Sequence, residues 1–493
     1  MAKKVLIVGA GLGGLATALR LSHLGYQVEV LERYQRPGGR LNLLEKDGFT
    51  FDVGPSFFSM SYEFRELFTS QGLEVPFTIK ELDPLYTVNI AGRDKVYRMF
   101  KDLKKLAQEF ADEPNFEEKA QRYLKAAGTI FHDTEYKVVK RNFNGMVPYL
   151  ASLATVPMKH LPKMFRSMWA ELERNFETED VKVIFSLVSF FLGATPFDTP
   201  AVYSLLNYTE LQHDGYWNVE GGMYKIVEGI MPILQERGVR FHYNTEVTGV
   251  ELKQGKLHAV VDAEGKGWTA DIFVCNADAA WFRGAILNRK AYREEKLDKL
   301  DWTLAPFTIY LGVKGKIDGI AHHNYFLGNN FKAYADMIFK TSVAPEKPYY
   351  YVNVASKSNP ECAPEGCENL FILCPVPDLR HKPDWSDAEK LTEDIIADLS
   401  ARVGYDITNN IISKTVYTPV DWMRMFNLYK GSGLGLAHGM NQIGAFRPSN
   451  KDEQLSNLYY VGASTVPGTG LPIVVIGSKL VTERITHEHG TLS

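Results

Sequence analysis

The chain predicts an α/β fold, and three observations predict it. Residues Val5 to Arg40 read VLIVGAGLGGLATALRLSHLGYQVEVLERYQRPGGR: an apolar strand, a glycine turn, a helix, a second strand ending in an acid, then a glycine pair with arginine. Strand-like segments alternate from Val239 to Asp278, closing on DIFVCNAD. Residues Asn457 to Lys479, NLYYVGASTVPGTGLPIVVIGSK, add a strand, a loop dense in Gly and Pro, and a last helix. Strands that alternate with helices in this way build a parallel sheet. The opening unit is the entrance of a Rossmann-like dinucleotide-binding domain.

Each part of that entrance has a physical job. Gly9 makes the tight turn after the strand Val5 to Val8, Gly11 lets backbone N–H groups approach a pyrophosphate, and Gly14 lets the helix pack closely on its strand. Leu12 opens that helix, whose N-terminus turns partial positive charge toward the phosphates. Leu12, Leu15, Ala16 and Leu19 recur at helical spacing, Gly25 stops the helix, and Val28 to Leu31 is the second strand. Glu32 ends it, 18 residues beyond Gly14. That is close to the ~20 expected of an acid accepting hydrogen bonds from a ribose hydroxyl.

The residues that follow resemble the FAD-dependent amine oxidase and phytoene desaturase superfamily. There the acid is followed by a Gly-Gly-Arg turn and an Asp-x-Gly-Pro segment, here Gly38-Gly39-Arg40 and Asp52-Val53-Gly54-Pro55. Two glycines let a loop press its backbone on a cofactor, and Arg40 can compensate pyrophosphate charge. The carboxy-terminal segment resembles the signature of bacterial-type carotenoid desaturases, where Gly-Ala and a PGxGxP loop meet the flavin before a final helix. The resemblance implies an amine-oxidase/GDI-like FAD-binding domain with an inserted α+β substrate domain. Its implied FAD contacts are Gly9, Gly11, Leu12, Gly14, Glu32, Gly39, Arg40, Pro55, Ser56, Val247, Asn276, Gly462, Pro472 and Ile473. Val247 would hold the adenine through its backbone, and the helix near Ile473 would aim N–H groups at the flavin. Many family members have His where this chain has Val466.

Composition bounds the rest. A chain of 493 residues, 45% hydrophobic and 23% charged, is long enough for two or three domains and has no disordered character. Its net charge of -4 leaves no nucleic-acid footprint. Cys275, Cys362, Cys367 and Cys374 lack a metal-site spacing and read as reduced cytosolic thiols, with no metal and no secretory signal expected. No stretch supplies the ~20 helix-compatible apolar residues of a membrane span. From Leu161, however, Met164, Phe165, Met168, Trp169 and Leu172 form one apolar helical stripe beside Lys159, Lys163 and Arg166, a pattern that suits either a core or a bilayer interface. Family members collect carotenoids from membranes, so the expectation is a cytoplasmic protein peripherally bound to a membrane surface.

The glycine pair Gly221-Gly222 marks a return into the flavin domain. That domain is expected to be discontinuous, roughly 1–85, 215–305 and 410–493, with 86–214 a helical substrate region and 306–410 a sheet-containing one. Catalytic side chains are not identifiable, although His213-Asp214 and Lys140-Arg141 are polar candidates. The implied activity is FAD-dependent desaturation of an acyclic carotenoid, with oxygen or a quinone as final electron acceptor left open. Phytoene desaturases commonly carry Pro-Arg before the internal glycine pair, whereas this chain has Val219-Glu220, which favours a 1-hydroxycarotenoid 3,4-desaturase. The alternatives are a phytoene desaturase, a flavin amine oxidase and a non-enzymatic isoprenoid carrier of the GDI type.

Overall fold

A computed structural model describes residues 3–338 and 349–490. Its centre is a five-stranded parallel sheet in the order Arg240–His242, Gln27–Leu31, Lys4–Val8, Ile272–Cys275, Leu458–Tyr460. The inner strands are near-continuous runs of Val, Ile, Leu and Phe because both faces are covered. Helices Leu12–His23, Lys225–Glu236 and Leu471–His489 pack over one face through Leu15, Leu19, Ile226, Ile230, Val475 and Val481. The other face carries the antiparallel meander Val247–Lys253, Lys256–Asp262 and Gly267–Thr269.

A second sheet of seven strands stands beside the first. Its order is Ile411–Tyr417, Ala305–Lys314, Cys367–Val376, Tyr350–Asn353, His323–Leu327, Tyr86–Ile90, Val96–Met99, antiparallel throughout except where His323–Leu327 meets Tyr86–Ile90. The segment 103–213 covers it with short helices and one long one, Phe116–Thr134, around a core of Phe110, Phe116, Phe176 and Phe185.

Three expectations are corrected. The region 86–214, expected to be helical, opens with Tyr86–Ile90 and Val96–Met99, which are strands of the seven-stranded sheet. Residues 411–417 were expected in the flavin domain, but the β-branched run Ile411–Tyr417 is the edge strand of the seven-stranded sheet, paired along Ala305–Lys314. The apolar stripe is not one helix: Arg166 is extended between helices Leu161–Phe165 and Met168–Glu173, because the Ser167 hydroxyl accepts from the Ala170 N–H and starts a new helix. Met168 and Leu172 are consequently buried, while Phe165 is 79% exposed. The basic flank is paired, Lys159 with Asp133 and both Lys163 and Arg166 with Glu171. Among the described residues no helix is long and apolar enough to cross a membrane.

Candidate functional site

The glycine turn is closed so tightly that side chains are excluded from it. Gly9 has φ +97°, and a Cβ on Gly14 would lie 2.3 Å from the Gly9 carbonyl oxygen. A Cβ on Gly11 or Gly13 would meet the Asn276 amide at 2.8 or 2.7 Å. The Gly38-Gly39 loop docks on the same turn: the Gly38 N–H donates to the Ala10 carbonyl at 2.8 Å, and a Cβ on Gly39 would come within 3.1 Å of the Gly11 Cα. Asn276, at the end of the strand Ile272–Cys275, donates through Nδ2 to the Val461 carbonyl at 3.0 Å and leaves its buried Oδ1 without a partner.

Glu32 is buried at the edge of this turn, its Oε2 accepting from the Ala10 N–H at 2.8 Å and its Oε1 from the Tyr34 N–H at 3.0 Å. Burial raises its pKa, and the two backbone donors oppose that. Helix Leu12–His23 has no side-chain cap and no acid in its first turn, and neither does helix Leu471–His489. Both N-termini therefore keep unsatisfied N–H groups and partial positive charge, and both border the same cavity. These features fit a dinucleotide: two uncapped helix starts, a glycine cradle and a buried carboxylate of the kind that holds a ribose.

That cavity has a volume of about 800 Å³. Every residue expected to touch FAD borders it except Gly14, which lies beneath the turn against Gly9. From the cradle it runs between the two sheets, walled by Phe57, Phe131, Phe190, Phe191, Tyr325 and Tyr349 among others. Such a wall suits a long apolar ligand, with a few polar groups left to orient it.

Arg447, His438 and Tyr351 carry no mark in the sequence, and Tyr351 meets the expected contact Ser56. Arg447 is fully buried and donates to the carbonyls of Leu436, Ala437, Gln442, Ala463 and Thr465, clamping the 436–447 segment to the loop after the last strand; burial lowers its pKa to about 10. His438 packs on that loop, its Nε2 accepting from the Thr469 N–H at 3.3 Å and lying where a Cβ on Gly468 would sit. Ser56 and Tyr351 face the cavity and share a 2.9 Å hydrogen bond.

Arg40 is placed differently from a free pyrophosphate ligand. Its Nη1 donates to the Gly433 carbonyl at 2.7 Å, and Asp278 is its charged neighbour. Asp278 in turn accepts from the Ser464 hydroxyl at 2.9 Å and the Trp281 N–H at 2.9 Å. Of the polar candidates, Lys140 and Arg141 border the cavity, with Lys140 held between Glu63 and Glu135. His213 and Asp214 do not border it: Asp214 caps Ser61, and His213 sits among Tyr62, Phe131 and Tyr208. All four cysteines are buried free thiols, and among the described residues no cluster of His, Cys, Asp or Glu is arranged to hold a metal.

Residues 12–485 match the family described as flavin containing amine oxidoreductase. The chain is 36% identical to the zeta-carotene-forming phytoene desaturase of Myxococcus xanthus, over 98% of this chain and 94% of that protein. It is 29% identical to the carotenoid 3,4-desaturase of Haloarcula japonica, over 98% of both. Among solved structures it resembles an oxidoreductase from Methanosarcina mazei, with a TM-score of 0.64 at 18% identity over 97% of this chain and 100% of that one. The chain belongs to the flavin containing amine oxidoreductases and, within them, to the carotenoid desaturases, FAD-dependent oxidoreductases that act on CH–CH groups.

Proposed function

We propose that this carotenoid desaturase acts as a 1-hydroxycarotenoid 3,4-desaturase on the hydroxylated end of an acyclic carotenoid. The observation that carries the reading is the Ser56 and Tyr351 hydroxyl pair, which borders the cavity among the rings of Phe57, Tyr325 and Phe371. Val219-Glu220, the sequence ground for the same reading, lies away from that wall, with Val219 buried in the strand Tyr216–Val219 and Glu220 exposed. Phytoene desaturation is the second reading, favoured by the 36% identity to the M. xanthus enzyme.

Bound FAD supplies a two-electron acceptor for an activated C–H bond. The chain supplies everything else. Gly9, Gly11 and Leu12 would seat the pyrophosphate with Gly14 packed beneath their turn, Glu32 would hold the ribose and Val247 the adenine, while Gly39, Arg40, Pro55 and Asn276 close around them. Gly462, Pro472 and Ile473 would present the last helix's N–H groups where negative charge grows. The aromatic walls exclude water and hold a polyene in line. Orientation alone can deliver much of the rate. Charge left on a polyene delocalises along it, so a strong base is not required of the wall.

Segments 146–165 and 444–446 carry Val147, Leu150, Met158, Leu161, Phe165 and Phe446, all strongly exposed. Phe143, Gly145, Tyr149 and Gly444 in and beside those segments border the cavity. This arrangement supports a peripheral seat on a membrane surface, with the apolar residues beside the substrate's entry. Anaerobic addition of a 1-hydroxylated acyclic carotenoid in liposomes should bleach the oxidised flavin band and lengthen the polyene at the hydroxylated end. Bleaching by phytoene and not by the hydroxylated carotenoid would reverse the two readings.

A further inference from the structure

Behind the Ser56 and Tyr351 pair lies a third polar residue that fixes the direction of the hydrogen bonds. The Tyr351 hydroxyl is 2.6 Å from Nδ1 of His323, a wholly buried imidazole stacked on Phe57 with ring centroids 4.0 Å apart. The same Nδ1 is faced by the Asn353 amide nitrogen at 3.4 Å. That nitrogen is a donor beyond doubt of orientation, since it also donates to the His322 carbonyl at 3.1 Å. An Nδ1 approached by an amide N–H and a hydroxyl is an acceptor, which puts the ring proton on Nε2, where it finds no partner. Burial and the neighbouring His322 hold the imidazole's pKa well below its ordinary value, so the ring is neutral and has a lone pair to offer.

The polarity then propagates outward. Tyr351 has one hydroxyl proton and gives it to His323, so the 2.9 Å contact with Ser56 is made by the serine proton. Both hydroxyl protons are committed inward. The Tyr351 oxygen also accepts from the Asn353 amide, so what the pair offers the cavity is the lone pairs of Ser56. A group that binds there must bring its own proton.

We propose that Ser56, Tyr351 and His323 form a specificity device that accepts a hydrogen bond from the terminal hydroxyl of an acyclic carotenoid and rejects the corresponding methyl ether. This rests on the hydroxylated-carotenoid reading above and adds to it the residues and the direction of the bond. A methoxy oxygen brings no proton, so it would set lone pair against lone pair and strip the wall of water without replacing its hydrogen bonds. An unsubstituted chain end leaves the same acceptors unmade.

The test compares kcat/KM of the purified flavin-loaded protein for 1-hydroxy, 1-methoxy and unsubstituted acyclic carotenoids in phosphatidylcholine liposomes. The parent should prefer the alcohol to the ether by roughly tenfold or more, the worth of about one hydrogen bond. Ser56→Ala should shrink that ratio, and Tyr351→Phe should shrink it further, because the freed serine proton can then donate to the ether oxygen. Substrates are compared on one preparation, so lost fold or flavin lowers all rates and leaves the ratio unmoved. A parent that turns over alcohol and ether equally, or variants that keep the parent's ratio, would overturn the device while leaving the hydroxylated-substrate reading intact. Turnover of phytoene with none of the alcohol would overturn that reading and the device with it.

Discussion

A buried carboxyl without strict hydrogen-bond geometry is the sharpest single-residue feature outside the cofactor cradle. Glu210 lies behind the cavity wall with Tyr86 and Tyr216 as polar neighbours, and burial raises its pKa to about 8. The folded protein therefore binds a proton at Glu210 that the unfolded chain releases above its ordinary value near 4.5. Between those two values the native state holds the extra proton, so stability falls as pH rises across the window. Glu210→Gln, which cannot ionise, should lack this slope, which approaches about 1.4 kcal/mol per pH unit for one proton. Denaturant unfolding of parent and variant from pH 4 to 9 checks it, and parallel curves would show that Glu210 stays ordinary. Glu32 makes the other residue-scale prediction. Replacing it with Ala removes a charged acceptor worth about 1.5–3 kcal/mol, so FAD affinity should drop by roughly tenfold to a hundredfold. Flavin retained through gel filtration measures the loss.

Elements were legible in the sequence where local physics decides them alone. The opening strand, turn and helix are such a case, since Gly9 must take a positive φ and Gly14 must lie against the Gly9 carbonyl whatever the rest of the chain does. Gly14→Ala would force a Cβ to 2.3 Å from that backbone oxygen, where no flexible side chain can yield. It should destabilise by about 1–3 kcal/mol or more, as overpacking does, with FAD lost in step. Gly249→Ala is the control, since its Cβ meets nothing closer than Val261 at 3.8 Å; equal losses in both variants would remove the steric explanation. The stripe from Leu161 was not legible, because whether Ser167 restarts a helix depends on Arg166 reaching Glu171 and on Thr199, whose carbonyl takes the Met168 N–H. Ile411–Tyr417 was misplaced for a similar reason. Its partner strand lies about a hundred residues earlier, and pairing over that distance leaves no local mark. Within the site, Arg447, Tyr351 and His323 were missed because single polar residues in apolar surroundings look the same in sequence whether they face a cavity or a core.

At the scale of the whole molecule, the two sheets matter because the cavity belongs to neither. Its cradle end is made by the parallel sheet and its helix starts, and its walls come from the seven-stranded sheet and from 103–213. The exposed apolar residues lie on the same inserted segments that border the cavity, so a lipid-soluble substrate has a reason to approach from that side. Trp169 takes no part in this, since it packs on Phe197 and Phe331. Met158 and Phe165, 81% and 79% exposed, are the residues to change. Met158→Glu with Phe165→Glu removes apolar contact from a lipid interface and adds two charges facing anionic headgroups, and it disturbs little packing inside the protein. The double variant should therefore keep its flavin and its unfolding midpoint while sedimenting less with liposomes. Its KM for carotenoid carried in liposomes should rise, with kcat and the rate on detergent-dispersed carotenoid close to the parent's. A rise in KM for both forms would mean that these residues shape the cavity instead. Unchanged liposome binding would mean that the substrate enters by another face.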